Sequence, residues 1–111
     1  MRYFSIDDLR PEEIQSIHAR LRDMSLQSDM EGLYWLPVPA DLLEPVQREH
    51  AAQCGPHVMA LDVQENALQM ELLVRARNRL RCECVRYATP ELQQHMSAWV
   101  DQLLRDLGIA F

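Results

Sequence analysis

The chain has 111 residues, of which 48% are hydrophobic and 25% charged, and its formal net charge is -6. These values are typical of a single globular domain, here residues 1–111, and exclude disordered and fibrous proteins. The acidic balance argues against a protein whose main task is to bind nucleic acid or an anionic membrane. Neither a signal peptide nor an apolar run of membrane-spanning length is evident, so we expect a cytoplasmic protein.

Three segments carry the signals of amphipathic helices. The first begins at Pro11, and apolar residues recur after it at helical spacing. The second opens near Pro45 and is stopped by Gly55. The third has Thr89 as its N-cap and ends at Gly108. Its wide apolar stripe predicts that it packs against a sheet.

The middle of the chain shows apolar residues at every second position, three times in succession, over residues 58–84. This period predicts three strands with one buried face. The sequence therefore indicates an α+β fold, in which amphipathic helices pack on one face of a three-stranded antiparallel β-meander. The segment 34–39 is extended, and its two prolines, Pro37 and Pro39, exclude a central strand but allow an added edge strand or a strapping segment.

The alternation also predicts the register of the first hairpin, because a slip of one residue would turn the apolar set to water. A two-residue turn at residues 65–66 places Val63 opposite Leu68. Continued along the strands, the same register places Val58 opposite Leu73 on the outer face. This pair is the centre of a predicted apolar surface for a partner.

The second hairpin requires a three-residue loop at residues 76–78 for its apolar faces to match. Asn78 then takes the left-handed position that such loops need. Leu80, Cys82 and Cys84 would lie on the third strand and face the core.

Arg75, Arg77, Arg79 and Arg81 fall within seven residues of this acidic chain. The predicted register sets Arg75 directly opposite Arg79 on the solvent face, which is unfavourable for like charges. Such a conflict is typical of functional sites, and guanidinium groups match oxyanions. We therefore expect these arginines to border the partner-binding surface.

Histidine and cysteine residues also offer a metal site. His50, Cys54 and His57 form an H-x-x-x-C-x-x-H cluster, and Cys82 and Cys84 form a C-x-C pair; all are soft ligands of the kind zinc prefers. The predicted register separates the Cα atoms of His57 and Cys82 by roughly 12 Å, so the C-x-C thiols are interpreted as core residues. The alternative is a zinc site formed by His50, Cys54 and His57.

No nucleophile elbow and no glycine-rich phosphate loop is present, so nothing indicates a catalytic site or a cofactor. The preferred interpretation is a non-enzymatic protein-interaction or regulatory module, which binds a protein partner or a second copy of itself through the outer sheet face and the Arg-rich hairpin. A His/Cys zinc-binding protein and an anion- or nucleic-acid-binding module are the alternatives.

Overall fold

The computed structural model describes all 111 residues. It contains three α-helices, α1 (Pro11–Asp23), α2 (Pro45–Cys54) and α3 (Pro90–Asp106), and six strands, β1 (Tyr3–Ile6), β2 (Leu33–Pro37), β3 (His57–Val63), β4 (Leu68–Glu71), β5 (Leu73–Ala76) and β6 (Arg86–Tyr87). Every strand pairing is antiparallel, so the α+β class is confirmed, although the sheet has more strands than the predicted meander. None of the helices is both long and apolar enough to cross a membrane.

β3 lies at the centre of the sheet. β2 pairs with one edge of β3. β4 and then β5 pair with the opposite edge of β3. β1 lies beside β4 and β6 lies beside β5, so these two short strands share the far edge. The extended segment, for which the sequence allowed an edge strand or a strap, adds a strand to the sheet as β2.

The predicted register is correct at the β3–β4 turn and wrong further along. Val63 pairs with Leu68, as expected. Val58, however, pairs with Arg75 instead of Leu73. The predicted Val58–Leu73 pair on the outer face therefore does not exist.

A bulge between β4 and β5 explains the shift. Leu61 pairs with Met70 and Val58 pairs with Arg75, so β3 advances three residues (61 to 58) while the partner advances five (70 to 75). The two extra residues keep the inward and outward alternation intact, and Val74 stays buried at 1% exposure. An even-numbered shift of this kind leaves no trace in the hydrophobic pattern.

The predicted third strand is also wrong. Residues 80–84 form bends and turns, and Leu80 is 88% exposed instead of buried. Asn78 does not adopt the left-handed conformation. The strand that follows β5 is β6, which pairs with β5 through Leu73 and Val74.

The hydrophobic core fills the space between one face of the sheet and helices α1 and α3. Inward side chains of the strands, such as Met59, Leu61 and Met70, meet Ile17 of α1 and Leu104 of α3 in one cluster of 23 buried residues. The helices begin as predicted, because Pro11 and Pro90 occupy first turns and the Thr89 hydroxyl accepts a hydrogen bond from the Leu92 backbone N–H at 3.2 Å.

A second, much smaller cluster lies beside the main core. It contains the buried residues Cys54, Ala76 and Cys84, with Cys82 and Val85 packed against them. It joins the end of α2 to the irregular segment that follows β5. The candidate functional site lies here.

Candidate metal centre

Four side chains converge at the junction of α2 and the segment 77–85. They are His50, Cys54, Cys82 and Cys84, and one ligand atom from each lies within 4.8 Å of all the others. The His50 Nδ1 atom is 3.0 Å from the Cys82 Sγ atom and 3.8 Å from the Cys54 Sγ atom. The Sγ atoms of Cys54 and Cys82 are 3.5 Å apart.

The separations of 3.5 and 3.8 Å match those of a tetrahedral metal site, whereas the 3.0 Å separation of His50 and Cys82 is shorter. With Zn–S bonds of about 2.3 Å and Zn–N bonds of about 2.0 Å, neighbouring ligand atoms of a tetrahedron lie roughly 3.5–3.8 Å apart. The same separations are too long for a disulfide, whose sulfur atoms are bonded at about 2.05 Å, and all three cysteines are free. Three sulfurs and one imidazole nitrogen therefore form a compact set of soft ligands.

Helix α2 supplies the first two ligands. His50 and Cys54 are four residues apart, so they lie on the same helical face one turn apart. The helix ends immediately after Cys54, and the Gly55 backbone N–H donates to the Ala51 carbonyl at 3.0 Å. A Cβ atom at residue 55 would lie only 2.5 Å from the Ala51 oxygen, so glycine alone fits directly after this ligand.

A tight turn supplies the other two ligands. The Val85 N–H donates to the Cys82 carbonyl at 3.0 Å, and the Cys84 N–H points at the Cys82 sulfur at 3.4 Å. The buried Gln47 amide of α2 donates to the Cys84 carbonyl at 3.1 Å, while its oxygen accepts from the Glu44 N–H at 2.8 Å. Gln47 thus connects the start of α2 to the C-x-C turn.

Asn78 connects the end of α2 to the segment 77–85 on the side away from Gln47. Its backbone N–H donates to the carbonyl of Cys54 at 3.0 Å, and its side-chain amide donates to the carbonyl of Gly55. The Arg77 N–H also donates to the Pro56 carbonyl at 3.1 Å. The role of Asn78 is therefore to tie the segment to the helix end, in place of the predicted left-handed turn.

The Glu83 carboxylate lies next to His50, on the side of the ring that faces away from the sulfurs. The Oε1 atom of Glu83 lies 3.5 Å from the Nε2 atom of His50, whose Nδ1 atom faces the sulfurs. Metal-bound histidines commonly donate their second N–H to a carboxylate, which fixes the tautomer and the ring orientation. Glu83 lies on the side of His50 where such a carboxylate would stand, although the two form no hydrogen bond in this structure.

The thiols of the metal-free centre differ in acidity. Hydrogen bonds from the side chain and the backbone N–H of Cys84 lower the pKa of Cys82 to about 7. Burial, followed by the nearby Cys82 and Cys54, raises the pKa of Cys84 to about 12. Burial also raises the pKa of Cys54. Cys82 is therefore the most acidic of the three thiols.

The structure brings together two of the three residues of the predicted alternative metal site. His50 and Cys54 belong to the centre, but His57 does not; it is buried on β3, with its Nε2 atom unpaired. Burial, followed by the charge of His50, lowers the pKa of His57. Cys84 is buried as predicted, but Cys82 and Cys84 pack in the small cluster and not in the main core, because the strand expected to carry them does not form.

Only Arg75, of the four clustered arginines, has an acidic partner in the structure. Arg75 pairs with Glu71 across the bulge, through both Nε and Nη2, and the predicted opposition of Arg75 and Arg79 does not occur. Arg77, Arg79 and Arg81 are exposed and form no ion pair.

Of the predicted apolar surface, Val58 is buried at 3% exposure and Leu73 is half-buried beside β6. A role for these two side chains and the four arginines in binding a partner stays a prediction.

Comparison of the chain with protein-family models, with curated proteins and with solved structures gave no match.

Proposed function

We propose that this protein binds one Zn²⁺ ion through His50, Cys54, Cys82 and Cys84, and that the ion has a structural role. The observation that carries the proposal is the convergence of three sulfurs and one imidazole nitrogen within 4.8 Å, from two segments 28 residues apart at their nearest ligands, Cys54 and Cys82. Three thiols and a histidine in this arrangement are the ligand set of a structural zinc site.

The choice of zinc depends on the ligand types and on their spacing. Thiolates select zinc, copper(I) or iron–sulfur clusters, and carboxylates or carbonyls, which magnesium and calcium need, are absent from the ligand set. An imidazole beside three thiolates suits zinc, and one ion satisfies four ligand atoms this close together. The ion would displace the thiol protons, because a coordinating thiol is deprotonated outright.

A structural role is supported by the number of protein ligands and by what they connect. Catalytic zinc sites keep one position open for water or substrate, whereas four protein ligands close the tetrahedron. The segment 77–85 contains no helix or strand and contributes only the small cluster around Cys84 to the interior. An ion would fasten this segment to α2, where packing alone contributes little. The need for reduced thiols agrees with the cytoplasmic location, which stays a prediction.

Metal analysis of the full-length protein tests the proposal. Purified under reducing conditions, it should contain one zinc ion per chain by elemental analysis. Competition against a chromophoric chelator should show that His50→Ala weakens zinc binding by at least about 100-fold. The matched control is His95→Ala, because His95 is exposed on α3 and lies outside the cluster. A wild-type protein that binds no zinc, or a His50→Ala variant that binds it equally well, would overturn the proposal.

A further inference from the structure

The three thiols of the metal centre differ in their access to solvent. Cys54 and Cys84 are buried, at 1% and 0% exposure. Cys82 is only partly buried, and its chain neighbours Arg81 and Glu83 are exposed. The susceptibility of a cysteine to oxidation follows the exposure of its sulfur. A small water-soluble oxidant therefore reaches the sulfur of Cys82 more readily than the other two.

Cys82 also has a second thiol within reach. Its Sγ atom lies 3.5 Å from the Sγ atom of Cys54, which belongs to the other half of the centre. A sulfenic acid beside a thiol condenses with it to a disulfide. Loop length favours Cys54 over Cys84 as the partner, because a disulfide that closes a longer loop stabilises the folded chain more. Cys54 is 28 residues from Cys82, whereas Cys84 is 2 residues away.

From these observations we propose that Cys82 is an oxidation site for hydrogen peroxide, and that a Cys54–Cys82 disulfide then releases the zinc ion. The inference rests on the proposed zinc centre for the release of the ion, but not for the reaction of the thiols. The disulfide connects α2 to the segment 77–85 through two of the residues that bind the ion, so the segment stays attached. Thiol reductants reverse the bond and restore the ligands.

The oxidation transfers two electrons from the two sulfurs to the peroxide. The Cys82 thiolate attacks one peroxide oxygen, so that an S–O bond forms, the O–O bond breaks and hydroxide leaves. The Cys54 thiolate then attacks the Cys82 sulfur, so that an S–S bond forms, the S–O bond breaks and a second hydroxide leaves. Protons from solvent, or from the thiols of the metal-free protein, convert both hydroxides to water. Because only thiolates bind the ion strongly, Zn²⁺ leaves the two remaining ligands, His50 and Cys84.

Treatment of the full-length protein with hydrogen peroxide, in its zinc-loaded and its metal-free form, tests this inference. The free thiols should fall from three to one per chain in both forms. The zinc-loaded form should release its ion to a chromophoric chelator in step with the loss of thiols. Digestion after arginine and glutamate separates Cys82 from Cys84, because Glu83 lies between them. Mass spectrometry of the digest should find Cys82 joined to Cys54.

Three variants of the metal-free protein separate the roles of the cysteines. Cys54→Ser should stop the reaction at the sulfenic acid of Cys82, which dimedone labels. Cys82→Ser should lose its thiols at least about tenfold more slowly than the wild type. Cys84→Ser is the matched control, because both reacting thiols remain, and it should form the disulfide at the wild-type rate. The digest of the wild type keeps the test valid if a variant does not fold.

Three results would overturn the inference: no loss of thiols, a disulfide that contains Cys84 or joins two chains, or equal rates in Cys82→Ser and the wild type. A Cys54–Cys82 disulfide in a protein that never binds zinc would refute the zinc centre and leave the oxidation site standing. Stoichiometric zinc that stays bound in peroxide, with all three thiols intact, would refute the oxidation site alone.

Discussion

Replacing Cys84 with Ala distinguishes a metal ligand from a thiol that merely fills space. The Cys84 side chain is fully buried, at 0% exposure. If it only packs, its loss removes about one methylene equivalent of apolar burial and costs about 1 kcal/mol. If it binds zinc, the variant also loses the stabilisation that the ion provides, which is about 4 kcal/mol when free zinc is 1,000 times the dissociation constant. We therefore expect a cost of roughly 4–5 kcal/mol with zinc and about 1 kcal/mol without it.

Urea denaturation followed by tryptophan fluorescence measures both values, once at saturating zinc and once with a chelator, with reductant throughout. Val100→Ala is the control, because Val100 is equally buried but belongs to the main core. Its cost should be the same in both conditions. An equal cost for Cys84→Ala with and without zinc would refute the assignment of Cys84 as a ligand.

Three further predictions concern the core, a buried histidine and the carboxylate behind the metal centre. In urea denaturation, Leu104→Ala should cost about 2–5 kcal/mol, because the side chain is fully buried, whereas Leu80→Ala should change the free energy of unfolding by less than about 0.5 kcal/mol. Burial lowers the pKa of His18, so the unfolded chain takes up a proton at this residue at a higher pH than the folded chain does. The free energy of unfolding is therefore unaffected by this group above about pH 6.5 and decreases as the pH falls below that value. His18→Gln should remove this part of the pH dependence, as measured by denaturation curves at several pH values. Glu83→Gln should weaken zinc binding roughly tenfold in the chelator competition, because it exchanges the carboxylate behind His50 for a neutral amide.

These three predictions can each fail independently. An equal loss for the two leucine variants would contradict the burial pattern, and an unchanged pH profile in His18→Gln would exclude that residue as a source of acid sensitivity. Unchanged zinc affinity in Glu83→Gln would show that the carboxylate does not position the histidine.

The helices and the first hairpin were predictable because local chemistry determines them. Proline in a first turn, the Thr89 cap and apolar residues at helical spacing indicate the helices without any tertiary information. The turn after β3 fixes the Val63–Leu68 pair because only that register keeps one face apolar. The bulge after Met70 was not predictable, since adding two residues preserves the alternation.

Cys82 and Cys84 were left out of the predicted metal site because a C-x-C pair has the same period as a half-buried strand. In a C-x-C pair whose side chains converge on one point, residues i and i+2 face the same side. A half-buried strand has the same period of two. Leu80 extended that pattern by chance, although it is exposed. The H-x-x-x-C spacing on a predicted helix, considered together with the C-x-C pair and without the assumed register, is the signal that would have brought these four residues together.

X-ray absorption spectroscopy at the zinc edge, on the purified full-length protein loaded with one equivalent of zinc, tests the metal centre most directly. We expect a first shell of three sulfurs at about 2.3 Å and one nitrogen at about 2.0 Å, with the nitrogen signal lost in His50→Ala. A shell dominated by oxygen, or one containing fewer than three sulfurs, would contradict the assignment of Cys54, Cys82 and Cys84 as ligands of a single ion.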